Sequence, residues 1–194
     1  SLWQSEPNLN LLCSIVLSSK ELSKINPIRI NWYVSICIIE FLKRKDINAQ
    51  IKWPNDILIQ ENKISGILIE NKFVGSSMKN SIIGVGINVN QSAFGGLSAT
   101  SMKLETNIDY SITDLLDEFI FSLNQNEQLI FREQDDQLKK RYLSSLFGMG
   151  EERSFSDVSG RFNGKIIGVD EGGRLIIESN GQVCYFQNKE VKFL

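Results

Sequence analysis

Five consecutive residues, Lys52-Trp53-Pro54-Asn55-Asp56, put a cation, an indole, an amide and a carboxylate into the space of one turn. Proline has no N–H to give a strand ladder, so a strand ending in Lys52-Trp53 must turn there and aim Asn55 and Asp56 at one place. Lys63 comes shortly after, then Gly66 inside an apolar strand, where a missing side chain often marks close approach of a ligand or another backbone. Gly84 and Gly86 stand two apart in a third strand, on one face of it, and leave a slot of bare backbone. If the strands carrying Lys52 and Lys63 are neighbours, both ammonium groups converge on one anion. Fixed cations of this kind suit charge neutralisation on a phosphate better than proton shuttling. Each feature also has a plainer reading: Asn55-Asp56 as a turn cap, Lys52 as a solubilising edge charge, Gly66 as a β-bulge. Gly84-Val85-Gly86-Ile87-Asn88 is no dinucleotide fingerprint, since the third glycine and an immediate helix are missing.

Composition narrows the chemistry. The 194 residues contain no histidine, which removes Ser-His-Asp and Cys-His nucleophile systems and any histidine-ligated metal. The formal net charge of −2 supplies no overall basic field, so nucleic-acid binding is not expected. Three cysteines, Cys13, Cys37 and Cys184, sit far apart in apolar runs and read as buried free thiols of a reducing compartment. No apolar stretch approaches the roughly 20 residues needed to span a bilayer, and Ser1-Leu2-Trp3-Gln4 resembles no targeting segment, so a cytoplasmic location without membrane contact is expected.

The elements that must position these residues can be read from pattern. Asn10–Leu17 reads as a buried strand. Asn26-Pro27 starts a helix that runs to about Lys45, apolar on most sides, which must lie against a sheet. From Ala49 to Asn90 the texture is β, with a hairpin of Ile57–Gln60 and Lys63–Glu70 and a buried strand over Ser81–Val89. Ser92–Asn107 reads as a loop. Ser111, with Asp114 three residues on, opens a long amphipathic helix carried through Ile130. Gly148-Met149-Gly150 marks a boundary. Turn signals at Asn163-Gly164, Asp170–Gly173 and Asn180-Gly181 then predict a small antiparallel barrel or half-barrel.

KWPND at Lys52–Asp56, KISGIL at Lys63–Leu68 and GVGINVN at Gly84–Asn90, in this order and spacing, closely resemble the biotin–protein ligase family. Ala99–Lys103 and Asn163–Gly173 add to the likeness, which runs from about Trp3 to the end. The resemblance implies an α+β fold: a mixed sheet flanked by helices, like a class II aminoacyl-tRNA synthetase core, over residues 1–147, then an SH3-like barrel over 148–194. It implies ATP-dependent activation of biotin to biotinyl-5'-AMP and transfer to a lysine of a biotin carboxyl carrier protein, with Mg2+ as cofactor.

By the same resemblance, Lys52 and Lys63 are the catalytic cations. Lys63, Gly66, Ile67, Leu68, Gly84 and Gly86 line the biotin pocket. Lys52, Trp53, Asn55, Asp56 and Asn88 face the nucleotide, Asn88 on its adenine side, and Asp56 faces the magnesium. Family members often pair through the central sheet, so a homodimer is an expectation. The family's glycine- and arginine-rich loop would precede a tryptophan resembling Trp3, and this sequence starts at Ser1 without it. A chain of this form is therefore expected to bind biotin weakly and to shield the adenylate poorly. Two alternatives stand beside this reading: a lipoate–protein ligase, which shares the chemistry but carries different blocks, and a non-catalytic biotin-sensing module.

Overall fold

A computed structural model describes residues 3, 5–18, 20–131 and 137–194; Ser1, Leu2 and Gln4, three of the four residues read for a targeting segment, lie outside the described residues. Strands β1 (Asn10–Ser18), β2 (Gln50–Lys52), β3 (Asp56–Ile59), β4 (Asn62–Val74) and β5 (Ser77–Asn88) form one sheet in the order β1-β5-β4-β3-β2. Every named pair in it is antiparallel, which corrects the expected mixed sheet. The reason is local: β2 to β5 succeed one another through tight turns, and such hairpins can only be antiparallel.

One face of this sheet is covered by helix α1 (Ile28–Lys43). On β5, Ile83, Val85 and Ile87 turn inward and are at most 3% exposed, while Ile82 beside them is 44% exposed on the opposite face. The period of two assigns alternate side chains to opposite faces. Helix α1 brings Ile30, Trp32, Val34, Ile38, Phe41 and Leu42 to the core, all fully buried. The Asn26 side chain accepts the Ile28 N–H at 3.1 Å, as the expected cap should. The helix stops two residues early: Lys45 and Asp46 donate to the Leu42 and Lys43 carbonyls three residues back, which tightens the last turn, and Asp46 adopts a left-handed φ of 59°.

Three further element boundaries differ from expectation. Strands β4 and β5 run past Glu70 and start before Ser81, meeting at Gly75 with φ +60°. Their outer ends are polar (Asn71, Lys72, Lys79, Asn80), which hides the pattern although the backbone ladder continues to Val74↔Ser77. The loop before Asn107 ends in a short helix α2 (Met102–Thr106), capped by the Ser101 hydroxyl. The long helix is broken: α3 (Ile112–Asn126) ends, and a separate turn α4 (Gln128–Phe131) comes after it. Tyr33 donates to the Leu123 carbonyl near the end of α3, and buried Arg29 to the Leu129 and Ile130 carbonyls of α4, each at 2.8 Å, so tertiary contacts answer carbonyls at the two helix ends.

Helix α5 (Gln137–Ser144) leads to Gly148 and Gly150, both at positive φ, and then to a second antiparallel sheet. It comprises β6 (Glu152–Asp157), β7 (Gly160–Val169), β8 (Leu175–Ser179), β9 (Gln182–Phe186) and β10 (Lys192–Phe193), in the order β10-β6-β7-β8-β9. Turns fall at Asp170–Gly173 and Asn180-Gly181 as expected. Asn163-Gly164 is not a turn but lies inside β7. A Cβ on Gly164 would sit 2.6 Å from Ile177 Cγ2 and 2.8 Å from the Glu178 carbonyl, so the glycine serves close packing against β8. The β6–β7 turn is instead at Val158-Ser159, where Asp157 accepts the Ser159 N–H at 2.7 Å. All three cysteines are free thiols, but only Cys37 is buried; Cys13 and Cys184 are half-buried. Burial pushes the Cys37 thiol up to about 12.

Candidate active site

The turn between β2 and β3 holds the Lys52–Asp56 block, with Lys52 and Asp56 paired across it. Its two ends are held by different parts of the chain. Trp53 is 5% exposed, and its indole N–H donates to the Gly173 carbonyl of the second sheet's β7–β8 turn at 2.9 Å. Asn55 faces the first sheet instead. Its side-chain amide donates to the Ile67 carbonyl at 2.7 Å, and the Ile67 N–H returns to the Asn55 carbonyl at 2.9 Å. This reciprocal pair fixes the turn against β4.

Asp56 meets Lys63 across β3 and β4, with the ammonium 2.5 Å from its carboxylate. The expectation that the strands of Lys52 and Lys63 adjoin is not met: β3 lies between them. Two strand spacings put their backbones about 10 Å apart, with Asp56 on the strand between.

Lys63 also lies over a slot. Gly66 and Gly86 are directly paired, and Leu68 opposes Gly84, so all four share the open face of the sheet, opposite α1. A Cβ on Gly66 would come within 3.0 Å of Lys63 Cε and Nζ, and 3.1 Å of the Trp3 ring. A Cβ on Gly86 would fall 2.7 Å from that same ring. At Gly84 the nearest atom would be 3.7 Å away, and Leu68 beside it is 63% exposed. The slot thus has Trp3 against one end, the Lys63 ammonium 5.6 Å from that ring, and an open apolar end at Gly84 and Leu68. Among the described residues the buried Trp3 indole N–H has no partner. In sequence Trp3 serves only as a landmark; no local signal places its ring on two glycines remote along the chain.

Two predicted residues sit differently. Ile67 is 3% exposed, with its side chain in the core and its backbone engaged by Asn55. Asn88 is 4% exposed, and its amide donates to the Thr100 carbonyl at 2.9 Å and the Lys63 carbonyl at 3.3 Å. It stitches the start of β4 to the loop before α2, where the Lys63 N–H also donates to Ser98. Asn88 therefore positions Lys63 from behind, with only its side-chain oxygen left for other work.

The loop that receives Trp53 is itself braced. Asp170 accepts the backbone N–H groups of Gly172 and Arg174, each at 2.9 Å, and the Arg174 Nε at 2.7 Å. Partial burial alone would raise this carboxyl, but those N–H groups and the guanidinium outweigh it and hold it below its ordinary range.

Residues 1–88 match the model of the biotin/lipoate A/B protein ligase family. The bifunctional ligase/repressor BirA of Bacillus subtilis is 25% identical over 184 residues, which cover 92% of this chain and 56% of that protein. The chain thus spans about half the length of that relative. A biotin–[acetyl-CoA-carboxylase] ligase of Paracoccus denitrificans is 41% identical over 39 residues, 20% of this chain and 16% of its own length. Among solved structures, the apo biotin protein ligase of Aquifex aeolicus superposes with a TM-score of 0.76 at 25% identity, covering 96% of this chain and 82% of that one. The same enzyme in complex with biotin and ATP superposes at 0.77, covering 96% and 79%. Beside the lysine-bearing turn, the paired glycines and the two antiparallel sheets, these likenesses match residues 1–88 to the biotin/lipoate A/B protein ligase family and make the chain similar to biotin protein ligases over nearly its whole length.

Proposed function

We propose that this chain carries the ligase core of a biotin–protein ligase, which activates biotin with ATP and passes it to a lysine of a carrier domain. The observation that carries the reading is the Lys63 ammonium beside the Gly66–Gly86 pair, on which the Trp3 ring packs, and opposite Asp56. An apolar slot closed at one end by a cation is the shape of a site for an apolar ring with a carboxylate tail. The biotin carboxylate attacks the α-phosphorus of ATP; an O–P bond forms, the bond to the β-phosphate breaks, and pyrophosphate leaves. Both partners are anionic, so Lys52 and Lys63 lower the barrier as fixed point charges where negative charge concentrates. The carrier lysine then attacks the acyl carbon of biotinyl-5'-AMP as a neutral amine. An amide forms, AMP leaves, and the amine proton passes to solvent.

Among the described residues no group of three or more carboxylate or thiolate side chains gathers to hold a metal alone. A single carboxylate suits Mg2+, which keeps several waters and takes phosphate oxygens. Asp56 would hold it, and the ion would neutralise phosphate charge. Trp53 and Asn55 border the nucleotide side through their places in the turn. In this reading residues 1–147 form the class II synthetase-like core and 148–194 an SH3-like barrel. Two copies pairing through the sheet and a reducing, cytoplasmic setting for the three free thiols complete the proposal.

Biotin-dependent exchange of labelled pyrophosphate into ATP tests the first step. The reading expects exchange with biotin and magnesium and much less with lipoate. Exchange driven better by lipoate moves the chain to the other branch of its family, and exchange with neither removes the activation step.

A further inference from the structure

Lys63 and Lys52 each lie near an aromatic ring but differ in their charged partners. Lys63 meets a carboxylate. Among the described residues, Lys52 meets none; its Nζ lies 5.2 Å from the centre of the Phe193 ring, on the last strand of the second sheet. An aromatic face attracts an ammonium through its quadrupole and carries no net charge. It therefore holds the cation in place and leaves its full charge, and its three N–H donors, for an incoming anion. A carboxylate in the same position would cancel that charge.

The ring is itself braced. Phe193 pairs with Phe155 across β10 and β6, and their rings meet edge to face at 5.3 Å. Phe147 approaches Phe193 from the linker at 6.4 Å, and Phe155, fully buried, stacks on Phe162 at 5.6 Å. The Leu194 N–H donates to the Ser154 carbonyl at 3.1 Å, which ties down the strand end behind the ring. The same half of the chain also holds the residues on either side of Lys52. The Ile51 N–H donates to the Ser145 carbonyl and its carbonyl accepts the Phe147 N–H, both at 2.8 Å, while Trp53 donates to Gly173. Strand β2 (Gln50–Lys52) is a short edge strand whose outer side is occupied by the linker, and the turn after it is held by the second sheet.

We propose that Phe193 is a positioning residue for Lys52, reaching it from the last strand of the second sheet. The proposal rests on the ligase reading above. It predicts a particular pattern of loss. Phe193→Leu keeps an apolar side chain in the cluster but removes the π face; Phe193→Tyr keeps the face.

The experiment has two parts on the full chain. In the first, the side-chain resonances of Lys52, assigned by their disappearance in Lys52→Arg, are read without substrate. The ring should shift its CεH2 signals upfield in the unsubstituted protein. The shift should vanish in Phe193→Leu and persist in Phe193→Tyr. In the second, biotin-dependent pyrophosphate exchange should lose roughly 3- to 30-fold in kcat in Phe193→Leu, the range a cation–π contact supplies, with KM for biotin nearly unchanged. Phe193→Tyr should recover most of that rate. An unshifted Lys52 signal in the unsubstituted protein overturns the proposal, and needs no variant to fold. So does a folded Phe193→Leu that exchanges at the unsubstituted rate, or a loss that falls on KM alone or equally on Phe193→Tyr. Because the shift is read without substrate, a chain that shows it yet exchanges nothing upholds the contact and overturns the ligase reading.

Discussion

The two sides of the site are built by different means. On the Lys63 side most of the partners belong to the first sheet: a carboxylate one strand in from the sheet edge, two facing glycines, and an asparagine stitching the strand from behind, with the Trp3 ring added from before β1. On the Lys52 side the lysine sits on an edge strand and is steadied by the linker and the second sheet. A cation with a carboxylate partner is well fixed but partly neutralised; one on an aromatic face keeps its charge and depends on a distant element for its place. In the proposed ligase, one lysine would receive an anion and the other would carry undiminished charge to the point of reaction.

The largest effect should come from the lysines themselves. Lys52→Ala should leave the fold intact, because the residue is half-buried at a strand end, yet cut pyrophosphate exchange by about 100-fold or more, as for loss of one transition-state charge partner. Lys63→Ala should cut exchange similarly and also weaken biotin binding, which calorimetry would register. Equal effects on binding would break the comparison. Next comes Gly66→Val, which puts branched carbons where even a Cβ is 3.0 Å from Lys63. Biotin affinity should fall at least about tenfold by calorimetry, the scale of one blocked contact in a small pocket.

A smaller effect is expected at the loop that receives Trp53. Asp170 is held below its ordinary value, so its contribution is present above the unfolded value of about 3.9 and is lost as pH falls through the lower folded one. Asp170→Asn should lower stability at neutral pH by about 1 kcal/mol, and the two proteins' denaturation midpoints should converge below about pH 4. A gap that persists in acid would show the carboxylate charge to be irrelevant. Smallest of all is Gly84→Ala. Nothing lies closer than 3.7 Å to the added carbon, so stability should move by no more than about 0.5 kcal/mol in a thermal melt.

Much of this is legible in sequence because it is local. Alternation places Ile83, Val85 and Ile87 in the core, and the spacing of Gly84 and Gly86 puts bare backbone on one face. Asn26 and Ser111 announce their helices by side-chain capping. The hidden parts depend on contacts far apart in the chain. Asn163-Gly164 carries the strongest short hairpin signal, yet Gly164 exists to let β8 approach. Sequence alone allows the two lysine strands to be neighbours, and only the sheet order shows β3 between them. The family resemblance assigns Asn88 to a nucleotide, but its amide is committed to two carbonyls, one of them of Lys63 itself. The positions of Trp3 over the glycines and of Phe193 beside Lys52 leave no trace in any local pattern.

The central claim is that this site joins biotin to a carrier. The most direct test incubates the chain with biotin, magnesium-ATP and a biotin carboxyl carrier domain, and reads the carrier by mass spectrometry. The account predicts one biotin adduct on a carrier lysine, lost when Lys52 is replaced by alanine. An unmodified carrier, or an adduct that forms equally well with Lys52→Ala, would contradict it.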